Sequence, residues 1–160
     1  PLFIVRHRQF QILSLVDLTN ANKIALHCQI NQPKQSNFIS SCWAFSAIVA
    51  IEGAHFIDTG DLVSLSEQEL IDCDKLDLGC GGGLMDNAFL FDENSTGICS
   101  EHDYPYVMHK RWLKGCGTLK GECVPVNHTR VATFNDIENT VDGLKAAIAK
   151  QPVSVAIEAD

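Results

Sequence analysis

Cysteine content is the feature that most restricts how this chain can fold, because each disulfide forces two distant segments together. The sequence has seven cysteines, at positions 28, 42, 73, 80, 99, 116 and 123. An odd number permits disulfides and leaves one thiol for chemistry, and disulfides indicate an oxidising compartment. Zinc is the alternative, but the pairs 73/80 and 116/123 are spaced more widely than the usual two to four or so residues. We therefore predict disulfides and no metal site.

Composition and charge exclude several other classes of protein. The chain is 46% hydrophobic and 20% charged, as globular domains are. A formal charge of −8 leaves no basic stripe for a phosphate backbone, so we expect no nucleic-acid partner. No run reaches the roughly 18 apolar residues of a membrane span, so we expect no membrane partner either.

Local patterns predict a helical part followed by short strands. Apolar residues spaced by three and four from Trp43 to Ala54 predict a buried helix, which ends near Gly60. Ser66 and Glu69 form a capping box at the start of a second helix. The glycine-rich run 79–83 predicts a loop. The remaining predictions are a helix over 84–91, a strand over 131–134, a helix over 141–150 and a strand over 153–157.

Cys42 stands at the first turn of the first predicted helix. The positive end of the helix dipole and the unpaired N–H groups there favour a thiolate, which is the nucleophilic form of cysteine. The same N–H groups can receive an oxyanion. The alternative is that Cys42 merely fills the core, as free cysteines often do.

Several ordered sequence blocks resemble the papain-like cysteine proteases, and especially their plant members. The blocks are 41–47 (SCWAFSA), 51–53 (IEG), 64–74 (SLSEQELIDCD), 79–85 (GCGGGLM), 104–106 (YPY) and 151–159 (QPVSVAIEA). This resemblance implies an α+β fold with an atypical segment over 1–39 and a mainly helical domain over 40–128. Residues 129–160 would then be the first strands and helix of an incomplete β-barrel domain.

The resemblance also implies roles for individual residues. Cys42 is the expected nucleophile, and Gly82 and Gly83 form the expected edge that pairs with an extended peptide. Two further positions are expected to line the pocket for an apolar substrate side chain, and one disulfide is implied. The pocket positions are Met85 and Ala156, and the disulfide joins Cys73 to Cys123.

Three departures from the family pattern qualify these expectations. Ile39 stands where the family has the cysteine that pairs with Cys80, so we expect Cys80 to lack that bridge. Ser36 occupies the position of the oxyanion-hole glutamine, so we assign no side-chain oxyanion donor. The family's histidine and asparagine come about 130 to 150 residues after the nucleophile, whereas 118 residues follow Cys42 in this 160-residue chain. This chain alone is therefore expected to be inactive.

The sequence supports two hypotheses of function. The first is a cysteine-type endopeptidase without a cofactor, which acts on extended peptides or proteins and binds protein inhibitors of such enzymes. The alternative is a non-catalytic pseudoenzyme that binds peptides or inhibitors. Sequons for N-glycosylation at Asn94 and Asn127 agree with the cysteines in predicting a secretory protein, of the vacuole, the lysosome or the extracellular space.

Overall fold

The computed structural model describes residues 2–6, 11–15, 40–111, 115–116, 121 and 123–157. These residues contain four strands, four α-helices and one 3-10 turn. The elements in order are strands β1 (Leu2–Arg6) and β2 (Gln11–Leu15), helices α1 (Cys42–Thr59) and α2 (Glu67–Cys73), a 3-10 turn (Gly79–Gly81), helix α3 (Met85–Glu93), strand β3 (Phe134–Asp136), helix α4 (Val141–Ile148) and strand β4 (Val153–Ile157). The α+β class expected from the sequence is confirmed.

Helix α1 is the centre of the structure. Nine of its 18 residues are buried, and α2 and α3 pack apolar residues against it. The fully buried members of this core cluster include Trp43, Ala47, Ile48, Leu70, Ile71 and Phe89. The apolar residues of α4 form a separate cluster with β4. The helix ends at Gly60, whose φ of 81° is a left-handed conformation that glycine adopts at little cost. The predicted helix and its end are confirmed.

The start of α2 confirms half of the predicted capping box. The Ser66 hydroxyl oxygen accepts a hydrogen bond from the Glu69 N–H at 3.0 Å. The Glu69 carboxylate, however, accepts from the N–H of Cys99 at 2.7 Å rather than from Ser66, whose N–H donates to the Cys99 carbonyl. Glu69 therefore joins α2 to a distant segment, which a local sequence pattern could not reveal.

Strand β4 lies inside the sheet, which has the order β2-β4-β1-β3. It pairs in parallel with β1 (Phe3 opposite Val153) and antiparallel with β2 (Leu13 opposite Val155). Two N-terminal strands therefore supply partners on both sides of β4. The predicted domain boundaries after residues 39 and 128 stay a prediction.

The sheet meets α1 through very close packing. The Ser154 hydroxyl donates to the Ser46 carbonyl oxygen at 2.9 Å, in a buried contact between residues 108 positions apart. A Cβ atom on Gly53 would lie 2.1 Å from Cγ of Pro152. Only glycine at position 53 therefore allows α1 and the start of β4 to approach this closely.

Two smaller elements differ from the expectations. The glycine-rich run contains one 3-10 turn at Gly79–Gly81, because the N–H groups of Gly81 and Gly82 bond to carbonyls three residues earlier. The strand expected at 131–134 lies at Phe134–Asp136, where β1 supplies its pairing partner. The helix expected over 84–91 is observed at Met85–Glu93, and α4 begins at the Thr140 cap.

The disulfide predicted between Cys73 and Cys123 is wrong. Cys73, at the end of α2, pairs with Cys116, and Cys123 pairs with Cys99. The physical reason is a β-bridge between Cys99 and Pro125, which brings position 123 next to position 99. The chain-entropy model gives loops of 43 and 24 residues about 3–4 kcal/mol of stabilisation each.

Peptide mapping under non-reducing conditions tests this pairing. We expect one cross-linked peptide that contains Cys73 and Cys116 and another that contains Cys99 and Cys123. Mass spectrometry before and after reduction identifies both. A peptide that joins Cys73 to Cys123 would restore the pairing that the sequence suggested.

Candidate active site around Cys42

Cys42 is the first residue of α1, and its side chain is half-buried. Within the described part of the chain, Cys42 and Cys80 are the cysteines that form no disulfide. The first turn of α1 contains no acidic residue that would oppose the positive end of the helix dipole. The structure therefore places the sulfur where the sequence predicted, at the N-terminus of a buried helix.

Tyr106 contacts two residues that flank Cys42 in the sequence, Ser41 and Phe45. Its hydroxyl lies 2.8 Å from the Ser41 hydroxyl oxygen. Its ring meets the ring of Phe45 edge to face, with 4.9 Å between the centroids. Tyr106 belongs to the YPY block, so this block helps to hold the start of α1 in place.

Trp43 connects helix α1 to the glycine-rich run. Its side chain is fully buried, and its indole N–H donates to the Gly79 carbonyl oxygen at 3.0 Å. A Cβ on Gly83 would lie 2.6 Å from both the Trp43 ring and the Asp77 carboxyl carbon. Position 83 must therefore be glycine if the run is to pack against the residue next to Cys42.

In the glycine-rich run, the two glycines expected to pair with a peptide differ in their hydrogen bonding. The Ser40 N–H donates to the Cys80 carbonyl at 2.8 Å, which ties the run to the segment before Cys42. Gly82 uses its own N–H and carbonyl in bonds to Gly79 and Leu78. Neither backbone group of Gly83 has a hydrogen-bond partner in the structure as described. Of the two glycines predicted to pair with a peptide, Gly83 is thus the one with free groups.

Met85 and Ala156, the expected pocket positions, belong to one apolar cluster with α1. Met85 begins α3 and Ala156 lies on β4, and they are 3% and 5% exposed. The structure thus brings together two residues that are far apart in sequence. Their contact with a substrate side chain stays a prediction.

Cys80 is chemically distinct from Cys42. It is half-buried and unpaired, as expected from the loss of its family partner. Burial raises the pKa of the Cys80 thiol, and the carboxylate of Asp72 adds to that effect. Cys80 is therefore a poor nucleophile and a suitable internal control for Cys42.

Three partly buried glutamates near the YPY block were not predicted from the sequence. We call Glu52, Glu67 and Glu101 the acid trio. Burial raises the pKa of Glu52 to about 7 and of Glu67 to about 8, and burial also raises the pKa of Glu101. The charge of Glu101 adds to the rise in the pKa of Glu67. Only the burial of these carboxyls in the fold reveals them, and no local pattern signals it.

The acid trio supports the loop that contacts the active-site helix. Glu52 accepts a hydrogen bond from the Leu65 N–H, and Glu101 accepts one from the Tyr106 N–H, each at 2.8 Å. Since Tyr106 contacts Ser41, the trio helps to set the position of the residue before Cys42. Its members act on the site only through these intermediates.

The remaining expected features lie at the surface. Asn94 and Asn127 are both exposed. No group of three His, Cys, Asp or Glu residues in the described ranges is arranged to hold a metal ion. Every helix in those ranges is too short or too polar to cross a bilayer. Position 36, where the sequence assigns no oxyanion donor, lies outside the described residues.

Comparison with known proteins gives a consistent result. A family model described as papain family cysteine protease matches residues 18–160. A probable cysteine protease of Arabidopsis thaliana, RD21C, is 48% identical over 135 residues, which are 81% of this chain and 28% of the relative. Cysteine proteinase EP-B 1 of Hordeum vulgare is 45% identical over 128 residues, which are 79% of this chain and 34% of the relative. The chain thus spans about a third of the length of these relatives.

Solved structures agree with these relatives. The cysteine protease CMS1MS2 of Carica candamarcensis, in complex with E-64, is 36% identical with a TM-score of 0.59. The match covers 71% of this chain and 51% of that one. The bromelain protease of Ananas comosus, in complex with the E64 inhibitor, is 33% identical with a TM-score of 0.62, over 72% of this chain and 50% of that one.

Proposed function

This chain belongs to the papain family of cysteine proteases, and on that premise we propose that Cys42 is the nucleophile of a peptide hydrolase. One observation carries the proposal. The half-buried thiol of Cys42 opens α1, and the next residue, Trp43, packs against Gly83, whose N–H and carbonyl groups have no partner in the described structure. A reactive sulfur and a free main-chain edge are thus neighbours.

The chemistry follows from this arrangement. The Cys42 thiolate attacks the carbonyl carbon of a peptide, a C–S bond forms, and the carbonyl oxygen becomes an oxyanion near the first-turn N–H groups of α1. The C–N bond then breaks, the amine leaves with a proton, and water hydrolyses the acyl-enzyme. Gly83 would hold the substrate extended by main-chain hydrogen bonds. Met85 and Ala156 would face its apolar side chain.

No described residue is assigned the role of general base. Four histidines lie in the described ranges. His55 bonds to the carbonyls of Asp61 and Asn127, His102 to Asp103 and His109 to the Val107 carbonyl. His128 lines a cavity with Asp58 and Arg130. None of these contacts involves Cys42. The decisive test therefore measures the reaction of the thiol itself and not substrate turnover.

Partners and location are part of the same proposal. Two proteins of this fold were solved with the inhibitor E-64 or E64, which supports binding of extended peptides and of peptide-like inhibitors here. The disulfides support passage through the secretory pathway to the vacuole, the lysosome or the extracellular space. The alternative of a non-catalytic binding protein is not favoured, because the relatives are named as proteases.

Labelling with a peptide epoxide tests the proposal. The Cys42 sulfur would open the epoxide, with formation of a C–S bond, cleavage of a C–O bond and uptake of a proton from water by the oxygen. We expect Cys42 to react at least about tenfold faster than Cys80, because burial keeps the Cys80 thiol protonated. Tryptic mass spectrometry locates the adduct.

Two variants make this result specific. Cys42→Ala should lose the label, and Cys80→Ser should keep it at the original rate. Circular dichroism confirms that each protein is folded. Equal labelling of both cysteines, or no labelling of the folded chain, would refute the assignment of Cys42.

A further inference from the structure

Asn94 caps the C-terminus of α3. Its side-chain N–H donates to the Leu90 carbonyl at 2.7 Å. The next residue, Ser95, is also held: its hydroxyl bonds to Asp92 and accepts from the N–H of Gly97 at 2.9 Å. The direction of the Asn94 amide is therefore set by the fold.

An apolar groove of about 660 Å³ lies directly beside this amide. Its walls include Leu76, Leu90, Phe91 and the Cys73–Cys116 disulfide, and Asn94 and Thr96 are among its lining residues. Leu76 is 65% exposed and Leu90 is 37% exposed. These apolar side chains are thus open to solvent and available to a covering group.

We propose that Asn94 carries an N-linked glycan whose first N-acetylglucosamine covers this groove. The sequon Asn94-Ser95-Thr96 fulfils the sequence requirement. The C–H face of the sugar and its acetyl methyl group match the apolar walls, and the ring of Phe91 offers an aromatic surface. The glycosylated amide keeps one N–H, so its bond to the Leu90 carbonyl can persist.

The modification transfers an oligosaccharide from a lipid diphosphate to Asn94. The Asn94 amide nitrogen forms a bond to C1 of the terminal N-acetylglucosamine and loses a proton. The bond from C1 to the diphosphate oxygen breaks, and the lipid diphosphate leaves. The proposal requires passage through the secretory pathway but does not depend on the reactivity of Cys42.

In the described residues, no comparable apolar groove lies beside Asn127. The cavity next to it, of about 280 Å³, is lined by polar residues that include Asp58, His128 and Arg130. Thr129 is the third residue of that sequon. Its hydroxyl donates a hydrogen bond to the Val126 carbonyl and accepts one from the Ile98 N–H. Modification of Asn127 stays a prediction from its sequon, with the sugar directed into solvent.

The test uses the full chain secreted from insect or yeast cells. Peptide-N-glycosidase should convert Asn94 to aspartate in a glycopeptide detected by mass spectrometry. Thr96→Ala should abolish the modification, and Thr96→Ser should preserve it. After an endoglycosidase trims the glycan to one sugar, Tm should exceed that of Thr96→Ala by about 2–4 °C, a shift consistent with covered apolar surface in a chain of this length.

Leu76→Ser tests the role of the groove independently of the sequon. This variant keeps the glycan but should lose the difference in Tm, because one apolar wall is gone. As a control, Thr96→Ala and wild-type protein refolded from bacteria, which both lack glycan, should melt at the same temperature. An unmodified Asn94, or a Tm difference that survives in Leu76→Ser, would overturn the proposal. Association of the unglycosylated chain that Leu76→Ser abolishes would instead assign the groove to a second copy and also overturn it.

Discussion

The free energy of unfolding should fall by several kcal/mol, on the order of 4, as the pH rises from 5 to 8. The main cause is the acid trio, and the carboxyls of Asp74 and Asp92, whose pKa burial raises to about 6, act in the same direction. Burial raises the pKa of Glu52 to about 7 and that of Glu67 to about 8, whereas an unfolded chain titrates both near their ordinary value of 4.5. The folded protein therefore binds more protons between these values, and its stability declines with rising pH.

The sign follows from which form the fold prefers. The neutral carboxyls are favoured in the folded state, so their full stabilisation is present below about pH 4.5. It is lost as the pH passes the folded pKa values of Glu52 and Glu67. Repulsion from Glu101 adds to the effect of burial on both groups, and Arg111 acts on Glu101 in the opposite direction. Urea unfolding at a series of pH values measures the profile.

Glu67→Gln is the informative variant for this prediction. A Gln side chain at position 67 is neutral at every pH, so the profile should flatten by about half and stability at pH 8 should exceed that of the wild type. Glu138→Gln, at an exposed position, serves as the control and should leave the profile unchanged. A Glu67→Gln profile parallel to that of the wild type would contradict the role of the trio.

Trp43→Ala should lower the free energy of unfolding by about 3–5 kcal/mol, the range for loss of a large buried aromatic side chain. Trp43 is fully buried in the core around α1, and its ring fills the space that Gly83 leaves open. The substitution would leave a cavity between the nucleophile helix and the glycine-rich run. It would also leave the Gly79 carbonyl without its indole donor.

Two comparisons isolate the contributions of Trp43. Trp43→Phe keeps most of the ring but loses the hydrogen bond, so it should cost less, about 1–3 kcal/mol. Leu62→Ala, at a side chain that is 58% exposed, should change stability by no more than about 0.5 kcal/mol. Urea unfolding at pH 5, where the protein should be more stable, measures all three. A cost for Trp43→Ala no larger than that for Leu62→Ala would show that the indole is not a core element.

Local signals in the sequence were sufficient to predict the helices and the position of Cys42. The spacing of apolar residues after Trp43 and the turn at Gly60 located α1, and the Ser66 cap located α2. Cys42 was expected at the first turn of α1 and is its first residue. These features depend on residues within a few positions of one another, so the chain encodes them without reference to the rest of the fold.

Contacts between distant segments decided the remaining features. The bridge between Cys99 and Pro125 set the disulfide partner of Cys123, and pairing with β1 and β2 placed β4 inside the sheet. The burial that perturbs the acid trio likewise arises only where α1, α2 and the YPY block meet. Spacing along a chain does not encode which remote segments become neighbours. The packing of α1 against its surroundings therefore determined the support of Cys42 and the position of Gly83, whose ring contact with Trp43 leaves no room for a Cβ.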